Sequence, residues 1–132
     1  MATDNETRRL KDLLQIQEVL NEYCLRLEVN TFEEWLDLFT DDTVYEVHRK
    51  TLSGRKEVSD TLSLAPHGLH LGGPLRIELD GDVAETIQSY QFLADEEKFS
   101  NKGWYYRTLV RAGDTWKISH TKVVMHRPQK AA

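Results

Sequence analysis

The sequence predicts an α+β domain, helical in its first half and built of antiparallel strands in its second. Three observations carry this. An apolar stripe stepping by three and four (Leu13, Ile16, Leu20, Tyr23, Leu27) marks a long helix from Glu6 to about Glu28. Strand patterns then follow one another in the second half, separated by the turn signals Asp80-Gly81-Asp82 and Ala112-Gly113-Asp114. The chain has 132 residues, the size of one domain spanning 1–132, with no repeat and no Pro/Gly/Ser linker. A curved sheet with helices over its concave face would enclose a pocket suited to a small apolar ligand.

Each element has its own signal. Leu10, Leu14 and Cys24 widen the first stripe on one side. Asn30-Thr31 ends that helix, and Thr31 with Glu34 forms a capping box for a second, short one carrying Phe32, Trp35, Leu36 and Phe39. Thr43 to Lys50 reads as a strand, Gly54 to Leu62 as a third helix, and Leu64 to Gly68 as a loop. Leu75, Ile77 and Leu79 alternate with Arg76, Glu78 and Asp80, and His70 stands at the start of that strand. Val83 to about Ala94, Trp104 to Arg111 and Thr115 to about His126 are the remaining strands, with a polar connection over Asp95 to Lys102. Residues 1–5 and 128–132 read as frayed ends.

Composition excludes several classes. The formal net charge is −5 and the pI about 5.5. Nucleic acid and anionic membranes both demand clustered positive charge, so neither is an expected partner. Cys24 stands alone, which rules out an internal disulfide, and its place in the stripe makes it a core residue. MATDNETRRLKD carries no apolar segment of signal-peptide type, and no run nears membrane-spanning length, so a soluble cytoplasmic protein is expected. GxSxG, Walker A and GxGxxG motifs are absent. His67-x-x-His70 has no cysteine or acidic companion at a metal-ligand spacing, so neither metal nor other cofactor is expected.

The candidate chemistry is acid/base. Glu28 projects within about 60° of Leu10, Leu13, Leu14 and Cys24, at the edge of the apolar arc. It is either a solvated carboxylate at a helix end or a buried one able to hold a histidine in one tautomer. Tyr23 lies squarely in the stripe, with a hydroxyl that needs a partner in the core or on a ligand. Strict alternation from Leu75 would put His70 on the polar face, but Gly72-Gly73-Pro74 can hold a bulge that reverses the register, so parity leaves its direction open. His120 shares a parity with Trp116 and Ile118 and is expected to face inward, as a core histidine or a second ligand contact.

The order helix, EEWLDLFTDDTVYEV, short helix, HLGGPLRIELDGDVAETIQSY, WYYRTLVRAGDTWKISH resembles SnoaL-like proteins of the nuclear transport factor 2-like superfamily, over roughly residues 8 to 126. The resemblance implies a cone, with a curved, mixed but largely antiparallel sheet and three helices over its concave face. Scytalone dehydratase, the bile-acid dehydratase and hexachlorocyclohexane dehydrochlorinase in that superfamily use an Asp–His pair. Counted back from Asp41-Asp42, the acid position falls on Glu28 and the histidine on His70, while Tyr23 matches a helix position facing the pocket. Departures are clear. The acid is glutamate, the later-strand region near Ala94 has no second histidine, and Val47 stands about where an isomerase base or dehydratase tyrosine would be. Tyr23, Glu28 and His70 are therefore the candidate catalytic residues. Tyr45, Val47, Tyr90, Tyr105 and His120 are candidates for the substrate wall. The expected reaction is cofactor-independent elimination, with isomerisation or cyclisation next, on a small apolar, aromatic or steroid-like oxygenated molecule. A non-catalytic ligand-binding or association domain of the same fold is the alternative. Apolar residues at both parities, as in Val123-Val124-Met125, point to a homodimer through the convex sheet face.

Overall fold

Thr3 starts the first helix: its hydroxyl accepts the Glu6 N–H at 3.1 Å, and Asp4 and Glu6 place negative charge at the positive end of the dipole. The computed structural model describes residues 3–127. Helix α1 (Asp4–Val29) runs 26 residues. Asp4 and Asn5 are thus helical and not frayed; residues 1, 2 and 128–132 of the expected loose ends lie outside the described residues. The buried face of α1 is Asp12, Ile16, Leu20 and Tyr23. Leu10 and Leu14 do not widen it: they are 63% and 58% exposed, beyond the arc that reaches the sheet.

Helix α2 (Phe32–Leu36) starts on Thr31, whose hydroxyl accepts the Glu34 N–H at 3.3 Å. The capping box is half formed, because the Glu34 carboxylate accepts from the Asn30 side-chain amide instead. Phe39, read as helical, opens strand β1 (Phe39–Val47), which starts four residues earlier than its β-branched run suggests. Strand β2 (Lys50–Ser53), unread in the sequence, pairs back onto β1 through a two-residue turn, His48-Arg49, with φ of 49° and 64°. That turn geometry normally selects Asn-Gly, so the composition hid the hairpin. Helix α3 (Gly54–Leu62) follows, and Arg55 ties its start to the Phe39 carbonyl and, at 3.1 Å, to Asp41.

Strands β3 (Gly68–Asp80), β4 (Val83–Ala94), β5 (Asn101–Ala112) and β6 (Thr115–Met125) complete a six-stranded sheet of order β2-β1-β6-β5-β4-β3. The β1–β6 pairing is parallel and the rest are antiparallel. The sheet is thus mixed and largely antiparallel, it does not close, and with its three helices it forms the α+β cone. Helix α1 lies against β3 and β6, and α3 against β1 and β2. A short 3-10 turn (Glu97–Phe99) sits inside the polar connection.

Aromatic residues dominate the core: Tyr23, Trp35, Phe39 and Tyr45 form a mutually edge-on or tilted cluster, with centroids 4.7–6.5 Å apart. The first turns of α1 are held differently. Buried Asp12 accepts two parallel bonds at 2.8 Å from Arg111 and a third, at 3.3 Å, from the Trp116 indole. Arg111 also reaches Asp82 at 2.7 Å. These bonds hold the Asp12 carboxyl below its ordinary 3.8, the Arg111 bond foremost, against burial that pulls the other way.

Two irregularities decide which side chains face inward. In β3 the register shifts between Gly72 and Leu75, so that His70, opposite Phe92, faces the concave side together with Leu75, Ile77 and Leu79. In β5–β6, Leu109 pairs with Ile118 but Thr108 with His120, leaving Ser119 as the extra residue. That bulge turns His120 onto the convex face, against the inward position expected from parity.

Candidate functional site

A cavity of about 620 Å³ opens between α1, α2, the α3–β3 loop and the concave face of the sheet. Tyr23, Tyr45, Val47, His70, Tyr90 and Tyr105 line it. Six of the eight residues singled out in the sequence therefore share one wall. Glu28 and His120 are not among the lining residues.

The deep part of the wall is aromatic, while Arg26, Asn30, His48, Lys50 and His67 add polar and charged groups to the lining. Tyr23 comes from the buried face of α1 and Tyr45 from the inward parity of β1, and their hydroxyls lie 2.5 Å apart. Burial first, then the neighbouring tyrosines, raises the Tyr23 phenol well above 10, and burial raises Tyr45 too. Both stay neutral. One donates to the other, and the acceptor's own O–H remains to serve a ligand oxygen. Tyr90, pushed up to about 12 mainly by burial, stacks on Tyr105 at 4.3 Å and donates to Asn101 at 2.7 Å.

His70 stands at the head of β3 with its ring against Phe92, centroids 4.7 Å apart. Its Nδ1 is buried and finds no hydrogen-bond partner among the described residues. Burial lowers its pKa below 6.5, and the Glu28 carboxylate opposes the shift. Glu28 meets His70, though not through the ring: its Oε1 accepts the backbone N–H of His70 at 2.5 Å. The last turn of α1 thus caps the first pairs of β3, and a negative charge sits beside the imidazole without a direct bond to it.

His120 has a different acid. Its Nε2 lies 2.6 Å from Glu46 Oε2 on the convex face, on the far side of the sheet from the cavity. The Cys24 thiol is half buried and shifted up by burial, away from the thiolate a nucleophile needs. Among the described residues no group of three or more His, Cys, Asp or Glu side chains is placed to hold a metal ion.

Sequence reasoning missed Trp35, Phe92 and Asn101 as lining residues. Phe92 was within reach, because β4 alternates Ala84, Thr86, Gln88, Tyr90, Phe92 on its buried side. It also missed Arg107, which shares the inward parity of Tyr105 and Leu109 and is 1% exposed. Its charge argues for the surface, and parity was the one signal against that.

A family model described as "SnoaL-like domain" matches residues 8–122. An uncharacterized protein of Mycobacterium tuberculosis is 25% identical over 122 residues, covering 83% of this chain and 82% of its own. Among solved structures, a scytalone dehydratase-like protein of Novosphingobium aromaticivorans superposes with a TM-score of 0.79 at 19% identity, over 90% of this chain and 87% of that one. A hexachlorocyclohexane dehydrochlorinase does so with a TM-score of 0.76 at 19% identity, over 90% and 88%. At such identities the likeness is one of fold.

Proposed function

The chain belongs to the SnoaL-like domain family of the nuclear transport factor 2-like superfamily, and from that premise we propose that it is a cofactor-independent acid/base enzyme acting on a small, apolar, oxygenated molecule by elimination, or by the related isomerisation or cyclisation. One observation carries the reading: a neutral imidazole on the wall of an aromatic-lined cavity, with a carboxylate fixed at its own backbone. A base of lowered pKa is in its proton-accepting form at neutral pH.

In this scheme His70 takes a proton from a carbon beside a carbonyl or a leaving group. The electron pair of that C–H bond forms the new double bond and expels the leaving oxygen, or moves onto the carbonyl oxygen as an enolate. The free O–H of the Tyr23–Tyr45 pair donates to that oxygen. Glu28 fixes the position of His70 through the main chain and favours the imidazolium by its charge. The superposable dehydratase-like and dehydrochlorinase structures are consistent with elimination chemistry on this fold. The second reading, a ligand-binding module, is favoured by the position of Glu28 itself, which bonds the main chain and leaves the imidazole without a carboxylate partner. We also propose a homodimer through the outer sheet face, where Leu71, Leu93, Trp104 and Tyr106 are exposed.

The test is turnover of a panel of oxygenated steroids, hydroxylated aromatics and polyketide-like lactones by wild type and His70→Ala. The enzyme reading expects a dehydrated or rearranged product from the wild type alone, with binding retained in the variant. Equal turnover in both removes His70 from the chemistry; binding without turnover in the wild type makes the chain a binding module.

A further inference from the structure

Among the described residues, Arg107 is the one charged side chain sealed in the core behind this cavity. Its guanidinium carbon lies 4.6 Å from the Tyr23 ring centroid and 4.3 Å from that of Tyr105, and both tyrosines line the cavity. Nη2 donates to Gln88 Oε1 at 2.8 Å, while Nε and Nη1 are buried without a partner among the described residues. No carboxylate among the described residues pairs with it. A buried cation is costly when no negative charge answers it, and ring faces and one amide answer only part. Uncompensated, it leaves a positive field one ring deep behind the wall. Low dielectric carries that field into the cavity, where the Tyr23–Tyr45 pair supplies its one free O–H to a negative oxygen. The guanidinium over the Tyr23 face also draws density from the ring, which makes its O–H a stronger donor.

We propose that this cavity takes a ligand with an anionic oxygen on an apolar body, seated at the Tyr23–Tyr45 hydroxyl pair, with Arg107 as its buried counter-charge. The assignment rests on the cavity being the ligand site proposed above, but not on His70 acting as a base. Arg107 is a positioning residue: it touches the tyrosines and acts on the ligand through them.

The experiment compares 2-naphthoate with its neutral isostere 2-naphthamide, titrated calorimetrically into the full chain at about pH 8. There the acid is ionised and His70, lowered from 6.5, is neutral. Wild type should bind naphthoate roughly tenfold or more tighter than the amide. Arg107→Gln, which removes the charge and keeps a polar head for Gln88, should bring the ratio near one, and Arg107→Lys should keep part of it. The counter-charge assignment is read from this ratio in Arg107→Gln and the base assignment from turnover in His70→Ala, so the two fail separately. Lys50 and Arg26, the latter paired with Glu22 at 3.0 Å, also lie on the cavity lining and are competing sources of positive field. A ratio that survives in Arg107→Gln overturns the proposal, and Lys50→Ala and Arg26→Ala then show which of the two carries it. A wild type that binds the amide as tightly, or binds neither, overturns it too; that last result needs no folded variant.

Discussion

At the scale of the residue, Glu28 and His70 are joined through the main chain, and the consequence is measurable. Burial lowers the His70 pKa and the Glu28 charge partly restores it. Glu28→Gln should therefore lower the pKa further, read as a shift of the ring-proton titration by NMR; an unchanged titration means no coupling. The signs follow. With a folded pKa below the unfolded 6.5, His70 adds stability that is fully present above pH 6.5 and is lost as pH falls through the folded pKa. The base form persists over the same range, so the acid limb of any activity should lie below the ordinary histidine value and lower still in Glu28→Gln. If Glu28 serves only through His70, His70→Ala and the double variant should be equally slow, since groups acting as a unit are non-additive. His70 and Tyr23 were legible as candidates because a motif and a stripe mark them. The geometry between Glu28 and His70 was not, since a residue list does not tell a carboxylate that reaches a ring from one that reaches an amide.

Elements explain why parity was left open at one edge of the sheet and misled within it. The bulge that turns His70 inward is announced by Gly72-Gly73-Pro74, and left the direction of His70 open where strict alternation would have misassigned it. The bulge at Ser119 lies between Ile118 and His120 with no glycine or proline to mark it, and there parity misplaced His120. The β1–β2 hairpin escaped for a similar reason, its turn being His48-Arg49 where a small residue is usual. The order of helices and the four long strands were legible, because each carries many repeats of one period. The second bulge yields a test. Deleting Ser119 should leave every later residue of β6 on its present face, at the loss of a hydroxyl bond to the Thr108 carbonyl. Deleting Lys117 should turn buried Ile118 outward. The first variant is expected to fold, with a modest drop in Tm. The second is expected to lose cooperative unfolding. The opposite order would show that Ser119 is not the extra residue.

For the whole molecule, the convex face carries the exposed Leu71, Leu93, Trp104 and Tyr106. A patch of this kind is usually covered. A homodimer burying on the order of 1,600 Å² in total is expected, and sedimentation at micromolar concentration decides it: a species near the 15.4 kDa chain mass contradicts the prediction. The concave face has a different consequence. A cavity of about 620 Å³ is volume that a domain of 132 residues withholds from its own packing, so whatever fits there competes with unfolding by mass action. At a hundredfold excess over its dissociation constant such a molecule adds about 2.7 kcal/mol. The melting temperature should therefore climb with the logarithm of its concentration and keep climbing past saturation. Heat alone, applied across a chemical library, can then pick out the natural occupant before any reaction has been seen.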